Sequence, residues 1–250
     1  MPPLALHMAL ARELAAALRH RTLEADLGAY YLGSTTPDIR VITRWGRERT
    51  HFYDLNRMDH QDGVAALFGT YPDLADAGLL NPSTVAFLAG YLSHLVMDET
   101  WIEYIYRPFF GAGSTLGGDV RANVMDRVLQ YELDRRERSK KEVMEDVRSE
   151  LAGTALEVYV GFIERDSLEE WRRISLDVAG HEPDWQRFRL IAGRHLRDFG
   201  VGTPEAVDEF MKDVPQLLDE TIRHVGWDRI ESFLHRSRTR SLEVLKEYMG

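Results

Sequence analysis

The sequence predicts an all-α fold. Apolar residues recur at helical spacing along most of the 250 residues, helix-start residues and prolines punctuate those stripes, and no run alternates at strand period. Leu4, His7, Met8, Ala11, Leu14, Ala15 and Leu18 form the first stripe. A second helix is expected from about Thr22 to Leu32. Gly33, Pro37 and Gly46 then mark a loop that lasts to about Thr50. A long helix is expected from Thr84 to about Tyr106, with Pro82 just ahead of it. Pro108 and the glycines at 111, 113, 117 and 118 read as the next loop.

Asp119 to Arg138 reads as a further helix. Ser139 with Glu142, and Ser167 with Glu170, have the spacing of capping boxes. Val143, Val147 and Leu151 share a helical face, as do Trp171, Ile174 and Val178, and Trp227, Ile230, Phe233 and Leu234. Pro183 and Pro204 sit where first helical turns begin, and Pro215 is expected to kink or split the helix after Pro204. The expected architecture is a compact multi-helix bundle of eight or so helices. It forms one domain over 1–250, with 1–110 as one half and 119–250 supplying additional helices. Ser139-Lys140-Lys141 is the one plausible hinge.

The composition narrows the function classes. Hydrophobic residues are 44% and charged residues 29%, as in an ordinary globular protein. A net charge of −10 argues against general nucleic-acid binding, which needs a positive surface. With no cysteine, thiol catalysis and zinc–thiolate sites are excluded, so a metal site must use His, Asp and Glu. The start of the chain lacks the pattern of a leader. The apolar run from Thr84 to Met97 is shorter than the roughly 20 residues of a membrane span. A soluble, cytoplasmic protein with no transmembrane segment is expected, and its oligomeric state is not readable.

Two His-x-x-x-Asp pairs occur, His94 with Asp98 and His224 with Asp228. This spacing stacks two side chains one turn apart on a helix, where both can reach one ion. Val85, Phe87, Leu88, Leu92, Leu95 and Val96 make the helix of His94 apolar nearly all round, so it is expected to be buried. A buried Asp98 then needs a cation, a hydrogen-bond set or a raised pKa. The alternative is a buried ion pair or a hydrogen bond to Arg or Tyr. His224 and Asp228 straddle Gly226 and read as surface or capping residues. His7 lies on the apolar stripe of the first helix. Asp38 follows a turn-rich segment and is either a pocket residue or a turn cap. His51 precedes two aromatic residues and is otherwise a surface histidine. Asp126 is expected to be exposed, with support of a ligand histidine as the alternative. Glu99 faces away from His94.

Other architectures fit less well. No His is followed directly by Asp, only Glu48 and His51 match Glu-x-x-His, and the serine-hydrolase and phosphate-loop motifs are missing.

Leu32-Gly33-Ser34-Thr35-Thr36-Pro37-Asp38, then His51-Phe52, then Gly90-Tyr91-Leu92-Ser93-His94-Leu95-Val96-Met97-Asp98 resembles the zinc-dependent phospholipase C family over roughly the first 110 residues. The resemblance implies a helical fold holding one or two divalent ions, zinc first, with iron or manganese as alternatives. Carried over, Asp38, His51, His94 and Asp98 would ligate one ion. His7 would approach a second, with Asp98 bridging. No histidine occurs between His94 and His181, so a third metal is not expected. Asp38 would accept a proton from a metal-activated water or simply hold the metal. Arg40, Arg44, Arg47 and Arg49 lie in the same loop as possible phosphate contacts. The implied function is a metal-dependent hydrolase of phosphate esters, acting on a small molecule or a lipid head group. The alternative is a non-catalytic helical binding or scaffold protein with a structural metal.

Overall fold

A computed structural model describes residues 3–185, 188–189 and 203–250. No strand occurs among the described residues, and the chain is helical as expected. The first helix, α1 (Leu4–Leu18), buries Ala5 to Ala11 on every side, so it enters the core nearly whole. The expected helix over 22–32 is two: α2 (Arg21–Ala25) and α3 (Leu27–Gly33). Asp26 makes the break. Its non-helical backbone (φ −151°, ψ 69°) ends α2, and its carboxylate caps α3 by accepting from the Ala29 N–H at 2.9 Å. The other oxygen accepts from Ser83 Oγ at 2.6 Å.

The segment expected as a loop from 33 to 50 instead folds into a 3₁₀ turn (Thr36–Ile39), α4 (Arg40–Thr43) and α5 (Arg47–His51). Helices this short do not persist alone, so packing holds them. Arg44 and Phe52, both at positive φ, end α4 and α5. After α6 (Gly63–Thr70) comes the central helix, α7 (Pro82–Trp101). Asn81 caps it through the Thr84 N–H at 2.8 Å, and every residue from Thr84 to Trp101 is buried. The helix does not run on in α form to Tyr106. Ile102–Phe110 is a π-helical segment that contains Pro108, and Gly111 N–H reaches back to Tyr106 O at 2.7 Å. A proline cannot donate to an α-helical ladder, which suits the wider turn there.

The second half supplies α8 (Val120–Arg138), α9 (Lys141–Gly153), α10 (Arg165–Ala179), α11 (Pro204–Val225) and α12 (Trp227–Met249). Asp119 caps α8. Neither expected capping box forms. Ser139 Oγ donates back to Arg136 O and Lys140 stands at the start of α9. Ser167 lies inside the first turn of α10. Pro215 does not split its helix, because α11 runs through it. The helical turn expected at Pro183 leads into residues outside those described.

Helix α7 packs against α3 on one side and α12 on another. Two glycines allow the α3 approach. A Cβ on Gly90 would sit 2.0 Å from Tyr30 O, and one on Gly33 would sit 1.9 Å from Phe87 O. The main apolar core mixes residues of both halves, including Leu14, Phe87, Leu129, Val147, Trp171 and Phe233. Trp171 and Trp185 pack into the apolar clusters, whereas Trp227 is exposed and carries the Arg136 guanidinium 4.2 Å above its ring.

Candidate metal centre

His94 stands at the middle of α7, which is buried from Thr84 to Trp101. Its Nδ1 lies 2.8 Å from the carbonyl oxygen of Ser34, at the end of α3. A carbonyl only accepts, so Nδ1 carries the proton and Nε2 is left with its lone pair. Nε2 is buried and has no hydrogen-bond partner. The α3–α7 approach that the glycines permit thus also fixes the tautomer of His94.

His7 comes from α1, and its ring stacks on that of His94 at 3.7 Å and 7°. Neither of its nitrogens has a partner. Burial, with the His94 ring beside it, holds its pKa well below the ordinary histidine value. His51 ends α5 and is buried, not a surface residue. Its Nδ1 meets Thr50 Oγ1 at 3.0 Å. Its Nε2 lies 3.5 Å from both Asp38 Oδ1 and Asp98 Oδ2. Burial and the Arg47 charge lower its pKa to about 4, so the ring is neutral near pH 7.

Asp38 lies in the 3₁₀ turn and does not cap it. The turn is tied down by hydroxyls: Thr35 and Thr36 both donate to Leu32 O, and Trp171 Nε1 donates to Thr35 Oγ1 at 3.1 Å. Asp38 is the one member of the cluster with appreciable exposure, 17% of its side chain. Burial alone would raise its pKa, but His51, 3.5 Å away, and the neighbouring histidines outweigh it and hold the carboxyl far below the usual range. The same holds for Asp98, where Arg47 is the main opposing influence. Asp98 Oδ2 accepts from Arg47 Nη2 in a short contact, while Oδ1 is buried without a partner.

All five residues singled out in the sequence converge. Two sets of potential ligand atoms, His7–His94–Asp98 and Asp38–His51–His94, each lie within 4.8 Å of one another. Zinc bonds of about 2.0–2.2 Å place two ligand atoms of one ion roughly 3–4 Å apart, so either set is close to ligating spacing. His94 belongs to both sets. The donors are nitrogen and carboxylate oxygen, His7 and His51 are held neutral, and four ring nitrogens and one carboxylate oxygen are buried without partners. Buried polar atoms are ordinarily satisfied. A divalent cation would satisfy these together, so the residues present fit zinc.

Other expectations fare differently. The alternative for Asp98, an ion pair with Arg, also holds, and it singles out Arg47 among the four loop arginines because Arg47 alone of them is buried. Asp126 is not exposed. It accepts from Trp101 Nε1 at 3.0 Å and Gln130 Nε2 at 2.6 Å, and it supports no ligand histidine. Glu99 takes no part in the cluster. It accepts from Gly63 N–H and Arg240, and burial pushes its pKa up to about 7 against both donors. His224 lies at the end of α11, with Nε2 2.9 Å from Phe109 O.

Beside the cluster lies a cavity of about 330 Å³. Its walls include Arg40, Arg47, Arg127, Asn123, Trp101 and Tyr106. Arg47 lines the cavity and also bonds Asp98, so the two spaces share a wall.

Residues 6–101 match the family model described as zinc dependent phospholipase C, the family that the motifs resemble. The matched stretch ends at the last residue of α7 and contains all five converging side chains. No curated protein and no solved structure matches the chain. The match and the donor set together support a phospholipase-like hydrolase with a metal cofactor, zinc foremost. No helix among the described residues is long and apolar enough to cross a membrane.

Proposed function

We propose that the protein is a zinc-dependent hydrolase of phosphodiesters, with His7, Asp38, His51, His94 and Asp98 as metal ligands. The observation that carries this reading is the set of buried, partnerless His and Asp atoms aimed at one small volume. Bound zinc would supply an electrophile for the phosphoryl oxygen and a water acidified toward neutral pH. His94 is held by Ser34 O in the tautomer that offers Nε2. Arg47 orients Asp98 and leaves Oδ1 free. Asp38, at the exposed edge, is where a substrate phosphate and water can enter. Its strongly lowered pKa makes it a good ligand and a weak base, so ligation is its main duty and acceptance of the water's proton its second.

One observation favours the scaffold reading: four of the five candidate ligands are nearly sealed from solvent. A closed metal site is structural, and an open coordination position is catalytic. The test is hydrolysis of bis-p-nitrophenyl phosphate by the zinc-loaded protein, the chelator-treated protein and the His94→Ala variant. Turnover confined to the zinc-loaded wild type is expected. Zinc that binds tightly without turnover of this diester or of a lipid diester would favour the scaffold.

A further inference from the structure

The metal cluster does not account for the cavity next to it. Three arginines face that cavity, in a chain whose net charge is −10. Arg40 is half-buried, and its Nε is buried with no hydrogen-bond partner among the described residues. Arg127 is half-buried too and donates from one terminal nitrogen to Gln130 Oε1 at 3.1 Å. Arg47 completes the wall toward Asp98. Two acids also line the cavity, but neither neutralises these cations at close range. Asp126 has one oxygen on Trp101 and the other on Gln130, and Glu48 is exposed on α5 with no ion pair to the three arginines. The Arg40 and Arg127 guanidinium groups, in a half-enclosed space, suit an oxyanion, which they can bind through paired, charge-assisted hydrogen bonds. Arg40, Arg47 and Arg127 around the same space oppose a quaternary ammonium by charge, although Trp101, Tyr106, Glu48 and Asp126 also line it.

We propose that Arg40 and Arg127, with Arg47 at the shared wall, form an anion-binding pocket that receives a phosphate group carried by the substrate next to the ester to be cut. The preferred substrates are then diesters whose alcohol side bears a second phosphate, rather than zwitterionic choline esters. The inference rests on the hydrolase reading for its role in the reaction, but the pocket itself is read from the cavity and its arginines. About 330 Å³ is enough for a small head group.

The test uses the zinc-loaded wild type and an Arg40→Gln/Arg127→Gln double variant, with zinc measured in both. Inorganic phosphate is titrated by calorimetry. The expected result is equal zinc content with a loss of about tenfold or more in phosphate affinity in the double variant, the scale of one or more lost charged contacts. Both proteins are then assayed on bis-p-nitrophenyl phosphate and on micellar phosphatidylinositol 4-phosphate against phosphatidylcholine. The ratio of the two lipid rates, taken within each protein, should lose its preference for the phosphorylated head group in the variant. Equal phosphate affinity in the two proteins, or no phosphate binding in the wild type, would overturn the pocket. Absence of zinc and of all turnover would overturn the hydrolase reading and leave the phosphate titration to decide the pocket by itself. If the double variant is poorly folded by circular dichroism, single Arg40→Lys and Arg127→Lys variants carry the same comparison, because charge is kept and the forked donor geometry is lost.

Discussion

Two buried polar pairs sit at the same i,i+4 spacing on neighbouring helices and do opposite things. On α8, Asp134 and Arg138 close on each other at 2.8 Å. Asp134 also accepts from the Ala5 N–H of α1 at 2.9 Å, and Arg138 donates to Glu182 O at 2.6 Å. On α7, His94 and Asp98 do not pair together. Each turns one atom to a support, Ser34 O or Arg47, and leaves another bare toward His7, His51 and Asp38. Spacing and burial are shared, so neither distinguishes structure from chemistry. The distinguishing feature is where the remaining lone pairs point. A pair that closes on itself is a fastener, even with Arg138 Nη2 left without a partner, and a pair that keeps acceptor atoms bare at a common point is a ligand set. The fastener also serves the site, because Asp134 caps the helix that carries His7.

The largest expected effect falls on the fastener. Arg138→Met leaves the Asp134 carboxylate buried beside an apolar chain and should cost about 3–5 kcal/mol in denaturant unfolding, while the folded fraction keeps its zinc. An Asp134→Leu/Arg138→Met double variant should recover a good part of that loss. Zinc loss from the soluble variant would break the comparison.

Removing the metal comes next. At free zinc between about 100 and 1,000 times its dissociation constant, bound metal should stabilise the wild type by about 2.7–4.1 kcal/mol. Chelation should lower its melting temperature accordingly. His94→Ala/Asp98→Ala should show no chelator response, and Arg138→Met should show the full one.

Acidity should act on the ligand set in a definable window. His51 titrates at about 4 in the folded chain and near 6.5 in the unfolded one. Between those values the unfolded state binds more protons, so stability is full above about pH 6.5 and falls as pH drops toward 4. The contribution of His51 is about 3 kcal/mol at 1.36 kcal/mol per pK unit. Bound zinc leaves in the same direction, because its histidines must be neutral. A His51→Gln variant should flatten this part of the pH–stability profile.

A smaller effect sharpens the geometric side. Gly90→Ala forces α3 and α7 apart, because its Cβ would meet Tyr30 O and Ser34 N. It should cost about 1–3 kcal/mol, and zinc affinity should fall with it because Ser34 O no longer holds His94. Weaker unfolding with unchanged zinc affinity would show that the α3 contact does not orient the ligand.

Much of this was legible in the sequence. The limits of α1 and α8 follow from apolar periodicity and from Asp119. His94 and Asp98 stand out because polar residues are costly in a helix apolar all round. What stayed hidden depends on distant partners. Arg47 is indistinguishable from Arg40, Arg44 and Arg49 in sequence, and only the fold sets it against Asp98, 51 residues away. Asp126 looks like an exposed helix residue until Trp101 supplies its indole N–H. The short helices over 36–51 are held by tertiary contacts that no local propensity announces. Asp26 divides α2 from α3 through a cap that a continuous apolar stripe conceals.

The most direct test of the ligand reading is metal analysis by plasma mass spectrometry of the untagged wild type, His94→Ala/Asp98→Ala and Arg138→Met, all purified alike. About one to two equivalents of zinc are expected in the wild type and in Arg138→Met, and close to none in His94→Ala/Asp98→Ala. A wild type that takes up no zinc even on reconstitution, or a His94→Ala/Asp98→Ala protein that keeps its full complement, would contradict the account.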